Sequence, residues 1–202
     1  NYVGNVQAVL EWIENFNKIS DLPTVRSKNT GPTVYILSGP QASGKSTFAK
    51  RIRTNSEKVV HYIGFDELRS KLFREKTGVD LTADNFSESG QYENELYGRI
   101  SKTLNRLCSN KEFFNDVIII DATNATRKRR FVIINSIKSS KVVNVQFINP
   151  LSLCISRNDR RKPPNTGYVP VSIIKQNYFS GKMPFIDEFN EQTYVFEIAP
   201  EV

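Results

Sequence analysis

The chain has 202 residues, 39% of them hydrophobic and 24% charged, and carries a net charge of +7. That length allows one domain, or one domain with a modest extension, around a sizeable core, and the excess of positive charge favours an anionic partner. No apolar run approaches the roughly 18 residues that a membrane span needs, and Cys108 and Cys154 lack metal-ligand spacing, so they read as buried thiols of a reducing compartment. No leader-like stretch precedes the first structured segment, which leads us to expect an intracellular protein, cytoplasmic or nuclear, without a membrane partner. The start at Asn1 rather than Met reads as a piece of a longer chain.

In chain order, Val6, Val9, Leu10, Ile13 and Phe16 fall at helical spacing and predict an amphipathic helix over 5–19. Residues 20–32, with Pro23, Gly31 and Pro32, predict a linker. Residues 1–32 therefore stand apart from a domain over 33–202. That domain opens on an apolar strand, 33–38, and a helix over about 45–54. A strand at 59–63 and a helix over 65–74 follow. A polar stretch then leads to a long helix over 88–109. The Ile-rich strand 116–121 precedes a helix over 127–138, a strand at 142–148 and a helix over 150–160. A Pro/Gly-rich loop at 162–169, a helix over 171–180 and a strand at 194–198 close the chain. Continuous apolar strands alternating with helices predict an α/β fold whose mostly parallel sheet is covered on both faces.

Between the first strand and its helix runs Gly39-Pro40-Gln41-Ala42-Ser43-Gly44-Lys45-Ser46, the pattern G-x-x-x-x-G-K-S, followed by Thr47. A strand, a glycine-containing loop and a helix are the context in which this pattern binds phosphate. Backbone amides from Gly39 through Ser43, Gly44 and Thr47 can wrap a nucleotide β-phosphate. Lys45 can reach the β- and γ-phosphates, and the Ser46 hydroxyl can ligate Mg²⁺, so the α/β fold expected over 33–202 is that of a P-loop kinase-like domain.

Ligands of such sheets sit at the carboxyl ends of the strands, which selects two further places. One is Gly64-Phe65-Asp66-Glu67-Leu68-Arg69. Asp66 there reads either as an acid favoured by a helix N-terminus or as a general base for an attacking hydroxyl, and Arg69, one turn on, can hold an acceptor phosphate. The other is Asp121-Ala122-Thr123-Asn124. Asp121 stands where a Walker B acid holds Mg²⁺, while Thr123 and Asn124 read equally well as helix caps. The cluster Arg127-Lys128-Arg129-Arg130 lies just beyond; helical geometry splits it over several faces, so about two of the four can line a polyanion path. Arg157, Arg160 and Arg161, ahead of the Pro/Gly loop, read as helix-terminal cations or as a lid that closes over a γ-phosphoryl group. His61, the sole histidine, lies inside a strand and reads as a core or edge residue.

Four segments together carry a resemblance: GPQASGKST, FDELR (65–69), DATN with its trailing basic residues (121–130), and SRNDRR with VPVSIIKQNY (156–178). Over about residues 33–180 the chain resembles the 5′-kinase domain of polynucleotide kinases, of the bacteriophage end-healing kind. The resemblance implies that Lys45 and Ser46 bind the donor phosphates and Mg²⁺, that Asp66 is the general base, and that Arg69 holds the phosphate 3′ of the acceptor nucleotide. It further implies that Arg161 is the lid arginine, supported by Arg157. Ala122 interrupts the family's D-T-N motif, and the D-x-D-G-T motif of its phosphatase domain is absent, so no 3′-phosphatase activity is expected of these residues. The expected activity is transfer of the γ-phosphate of ATP or another NTP to the 5′-OH end of single-stranded DNA or RNA. Lys45, Asp66 and Arg161 would be catalytic, Ser46 and Asp121 metal-binding, and Arg69, Thr123, Asn124, Arg127 and Arg130 acceptor-binding. A ligase or phosphatase partner domain in a longer parent chain is implied by the resemblance alone. Two alternatives stay open: a small-molecule kinase acting on a nucleoside, sugar or nucleotide-sugar, and a non-catalytic nucleic-acid adaptor.

Overall fold

Strand β1 (Thr33–Ser38) lies in the middle of a five-stranded sheet. In the computed structural model, residues 31–82, 84–137, 140–161, 168–181 and 189 are described, together with the backbone of 191–195. The other strands are β2 (Val60–Gly64), β3 (Val117–Asp121), β4 (Lys141–Phe147) and β5 (Glu191–Val195). The order is β2-β3-β1-β4-β5, and every neighbouring pair is parallel. Parallel neighbours need crossovers, and these are supplied by α1 (Lys45–Asn55), α2 (Phe65–Thr77), α3 (Glu93–Ser109), α4 (Arg127–Ile134), α5 (Leu151–Asp159) and α6 (Val171–Ser180). The chain leaves β1 for the β2 edge, returns through β3, and only then builds the β4 side. Strand order thus reverses beside β1, and the crevice at its carboxyl end is where this class of sheet binds ligands.

The period-2 alternation of the strands feeds two cores. Val34 and Ile36 of β1 join Ile63, Ile118, Ile120 and Val142 beneath Leu72, Leu96, Ile100, Leu104 and Ile133 of the helices on one face. Leu37 joins Ile119, Val145 and Phe147 beneath Ala49 of α1 on the other, with Phe48 and Ile52 packed alongside. Because β3 is covered on both faces, all five of its residues are buried, which is why it reads as an uninterrupted apolar run. Its last residue, Asp121, is paired with Leu37 on one side and Gly64 on the other, so the three strand ends meet at one level.

Several boundaries differ from the sequence expectation, among them the end of α2, which runs on to Thr77 rather than 74. The helix expected from 88 starts at Glu93, after a 3₁₀ stretch, Phe86–Tyr92. Within that stretch the Ser89 hydroxyl donates to the Phe86 carbonyl at 2.7 Å and Gly90 follows, both of which weaken an α-turn. The helix expected to reach 138 ends at Ile134, where Ser136 and Ile137 donate to carbonyls only three residues back. The last strand lies earlier than 194–198: pairing with β4 sets Glu191 opposite Val143 and Val195 opposite Phe147. The helix expected over 5–19, most of the linker and loop residues 162–167 lie outside the described residues.

Candidate nucleotide and acceptor site

The loop after β1 takes its shape from glycine. Gly39 has φ 147° and Gly44 φ 99°, both in the left-handed range. A Cβ on Gly39 would sit 2.8 Å from both the Cβ and the carbonyl oxygen of Phe147, so the loop lies directly against the end of β4. Ala42, with φ 58°, is a left-handed residue without glycine's freedom, a strained position of the kind that clusters at ligand clamps. Gly44 leads into α1 with no side chain capping its first amides, which leaves those N–H groups for an anion.

Lys45 is buried, and its ammonium donates to the carbonyls of Gly39 at 3.0 Å and Pro40 at 2.5 Å, with the Ser43 hydroxyl at 3.4 Å. Burial lowers its pKa from 10.5 to about 8. The charges of Asp121 and then Asp66 oppose that shift, and Arg161 adds to it. Asp66 and Arg161 therefore both lie within electrostatic reach of the loop lysine. The Ser46 hydroxyl donates to Asp121 Oδ2 at 2.6 Å, joining the first turn of α1 to the end of β3. This hydroxyl–carboxylate pair offers the hard oxygen ligands that Mg²⁺ prefers. Among the described residues no cluster of three or more His, Cys, Asp or Glu side chains forms.

Asp66 lies in the first turn of α2, behind a glycine that makes no side-chain cap. Its side chain is 96% exposed and accepts a 2.9 Å hydrogen bond from Arg69, whose own side chain is mostly buried. The Arg69 guanidinium also lies over the ring of Phe86, 5.6 Å from its centroid. The carboxylate is thus open to an approaching group while its cation is held from two sides.

Thr123 and Asn124 do not cap the following helix; Thr126 does, accepting from the Arg129 amide. Instead the Thr123 carbonyl accepts from the Gly39 amide at 3.0 Å, and Asn124 Nδ2 donates to the Leu37 carbonyl at 2.7 Å. Asn124 is left-handed (φ 46°) and buried. Arg130, expected on the acceptor path, has no exposed surface and donates to the Asn124 carbonyl at 3.1 Å. The basic run splits as helical geometry requires: Arg127, Lys128 and Arg129 are exposed, and the fourth member shores up the loop after β3. Arg157 is half-buried in the last turn of α5, and Arg160 and Arg161 are exposed just after it. His61 donates to Asp116 at 2.8 Å and packs edge-on to Phe113 at the opposite end of β2, away from the loop. Cys108 and Cys154 are both buried.

A family model described as AAA domain matches residues 34–177. The chain belongs to that family. No curated protein matches its sequence. Solved structures share the fold. One belongs to the Pnkp1/Rnl/Hen1 RNA repair complex, 18% identical with a TM-score of 0.57, matching 74% of this chain and 44% of that one. Another is a gluconokinase from Sinorhizobium meliloti 1021, 18% identical with a TM-score of 0.53 over 86% of each chain. A third is Chaetomium thermophilum Kti12 in complex with ADP-AlF3, 17% identical with a TM-score of 0.57, covering 81% of this chain and 88% of that one. The chain spans less than half the length of the first of these. At such identities the likeness is one of fold: this is a P-loop kinase-like domain of a nucleotide-binding family. Among the described residues no helix is long and apolar enough to cross a membrane.

Three side chains that hold this site were not singled out in the sequence. Tyr62 donates to Asp121 Oδ2 at 2.9 Å; burial and then the charge of Asp121 raise its pKa, so it stays a donor. Asn149, just beyond β4, donates to the Ser43 carbonyl at 2.8 Å and fixes the middle of the loop. Asn158, fully buried in α5, donates to the Val169 carbonyl at 2.8 Å and accepts from its amide at 2.9 Å. The strand-end rule that selects the Asp66 and Asp121 segments applies equally to Asn149, and was the available signal for it.

Proposed function

We propose that the protein is a phosphotransferase that moves the γ-phosphate of ATP or another NTP to the 5′-hydroxyl of DNA or RNA. The observation that carries the reading is the Asp66–Arg69 pair. A carboxylate open to solvent stands 2.9 Å from a guanidinium, and its charge reaches the loop lysine. An acceptor with a hydroxyl next to a phosphodiester matches that pair, the hydroxyl toward Asp66 and the phosphate toward Arg69. Attack by the acceptor oxygen forms a new P–O bond to the γ-phosphorus and breaks the bond to the bridging oxygen, releasing the nucleoside diphosphate. The acceptor proton passes to Asp66. Lys45 leaves its loop carbonyls for the β- and γ-phosphates, and Arg161, backed by Arg157, neutralises charge on the transferring group. Mg²⁺, held by Ser46 and Asp121, would offset phosphate charge when bound.

The test is labelled NTP with 5′-OH DNA, 5′-OH RNA and nucleosides as acceptors. Label on the oligonucleotide end is expected. Label on a small metabolite with none on either oligonucleotide overturns the reading. That second outcome is the small-molecule kinase, and the gluconokinase fold match over 86% of both chains favours it as the alternative. The RNA repair complex supports the first reading and, with it, a ligase among the partners in a longer parent chain. Location inside the cell accords with use of an NTP donor.

A further inference from the structure

Tyr62 lies where three parts of the site meet. Its hydroxyl donates to Asp121 Oδ2, the oxygen that also accepts from Ser46. Both hydrogen bonds fall on the same carboxylate oxygen. The ring passes so close to Gly64 that a Cβ there would lie 2.8 Å from its Cε1 and 3.0 Å from its hydroxyl oxygen. Gly64 is the residue before the turn that carries Asp66, so the glycine is what lets the ring through to β3. On its face, the Arg53 guanidinium from the last turn of α1 sits 5.2 Å from the centroid. One phenol thus touches the helix that follows the phosphate loop, the turn of the proposed base and the carboxylate of the proposed metal site.

We propose that Tyr62 is a positioning residue for a divalent cation at Asp121, fixing the carboxylate by one oxygen so that the other is presented to the cation or to a water on it. A serine hydroxyl that binds a cation through a lone pair can keep donating its proton to Asp121, which ties the two ligands to each other. Tyr62 is the donor that ties the carboxylate to the sheet. Partners of this kind, hydrogen-bonded to a ligating carboxylate, set metal affinity by roughly 10- to 100-fold. The proposal rests on Ser46 and Asp121 as the metal-side pair and is independent of what the acceptor is.

The test is calorimetric titration of ADP into the full 202-residue chain, in EDTA and across a Mg²⁺ series, with Mn²⁺ binding followed by electron paramagnetic resonance. In Tyr62→Phe, which keeps the ring, the Mg²⁺ concentration for half-maximal ADP tightening should rise about tenfold. Mn²⁺ affinity should fall in step, and ADP affinity in EDTA should stay within about twofold of wild type. Gly64→Ala, which keeps the hydroxyl but pushes the ring aside, should shift the Mg²⁺ dependence in the same direction, and it decides the matter if Tyr62→Phe fails to fold. Mg²⁺ and Mn²⁺ curves of either folded variant that overlay wild type overturn the proposal. So does an equal loss of ADP affinity in EDTA, which would make Tyr62 a prop of the loop. A wild-type chain whose ADP binding ignores Mg²⁺ would instead remove the metal pair itself, a failure separable from that of Tyr62 and from that of the acceptor assignment.

Discussion

At Lys45, burial and charge pull in opposite directions, and the balance makes nucleotide binding a proton-linked event. Its pKa in the free protein is about 8, lowered by burial. Phosphate oxygens arriving at the ammonium favour the charged form, so the complex holds the proton to a higher pH than the free protein does. Binding should therefore take up a proton near and above pH 8, and affinity should fall as pH rises through that value. Titrations in buffers of different ionisation enthalpy measure the uptake directly, and Lys45→Met should abolish it. Stability follows the same proton count. Between pH 8 and 10.5 the unfolded chain binds more protons at this side chain than the folded one, so this group's contribution to stability rises with pH across that window. The stability of wild type relative to Lys45→Met should rise accordingly, read as the difference in denaturation midpoints. Asp66 makes the contrasting case. Its side chain is 96% exposed, so Asp66→Asn should leave stability within about 0.5 kcal/mol of wild type. Turnover should nevertheless drop about 10²- to 10⁴-fold with ATP affinity retained, measured by single-turnover transfer beside equilibrium binding. Retained turnover would remove the base assignment. Lys45, Ser46, Asp66, Arg69 and Asp121 were legible in the sequence because each is marked by a short-range pattern, a motif position or a place beyond an apolar strand. Tyr62 was not, because its partner lies 59 residues away and only the sheet brings them together; Asn149 had its place beyond a strand to mark it, but not its partner, 106 residues away.

Among the elements, the approach of α5 to α6 shows what a single buried amide can hold. Asn158 meets both the amide and the carbonyl of Val169, tying α5 to the chain just ahead of α6. Arg160 and Arg161 follow Asn158 closely, one and two residues past the helix. Asn158→Ala removes both hydrogen bonds and leaves a backbone amide and carbonyl to find water. The expected cost is about 1–3 kcal/mol, with faster hydrogen exchange at Val169. If Arg161 acts on the transferring group, kcat should fall more than nucleotide affinity, because the anchor three residues before it is loose while the phosphate loop is intact. Unchanged kcat with the exchange rate raised would separate the clamp from catalysis. Sequence pattern located nearly every element here because strands buried on both faces are continuous apolar runs and the helices between them keep one apolar stripe. It failed where local hydrogen bonds overrule the stripe, as Ser89 does ahead of α3, and where pairing alone sets the ends, as β4 does for β5.

For the molecule as a whole, the distribution of positive charge bears most directly on what the acceptor is. About two of the four residues from Arg127 to Arg130 were expected on a polyanion path, Arg127 and Arg130 as acceptor contacts, but Arg130 is spent inside the fold, holding the Asn124 carbonyl behind the phosphate loop. What remains at the surface is Arg127, Lys128 and Arg129, the last 3.5 Å from Glu93 and so partly neutralised. Reversing the buried member would disturb the loop itself and confuse folding with binding, so the informative variant changes the exposed three to glutamate and leaves Arg130 alone. A polynucleotide acceptor would lose affinity, and the slope of log affinity against log salt would shrink by about 0.7 for each phosphate contact removed from a single strand. ADP affinity should hold steady, because the nucleotide is held by the loop after β1. A small acceptor that touches only Asp66 and Arg69 would show neither change. Filter binding of a 5′-OH oligonucleotide over a salt series, run beside ADP titration on the same variant, therefore separates the two substrate classes by a physical signature that does not depend on detecting turnover. An unaltered salt slope would move the acceptor assignment to a small molecule of the kind that the Asp66–Arg69 pair can hold by itself.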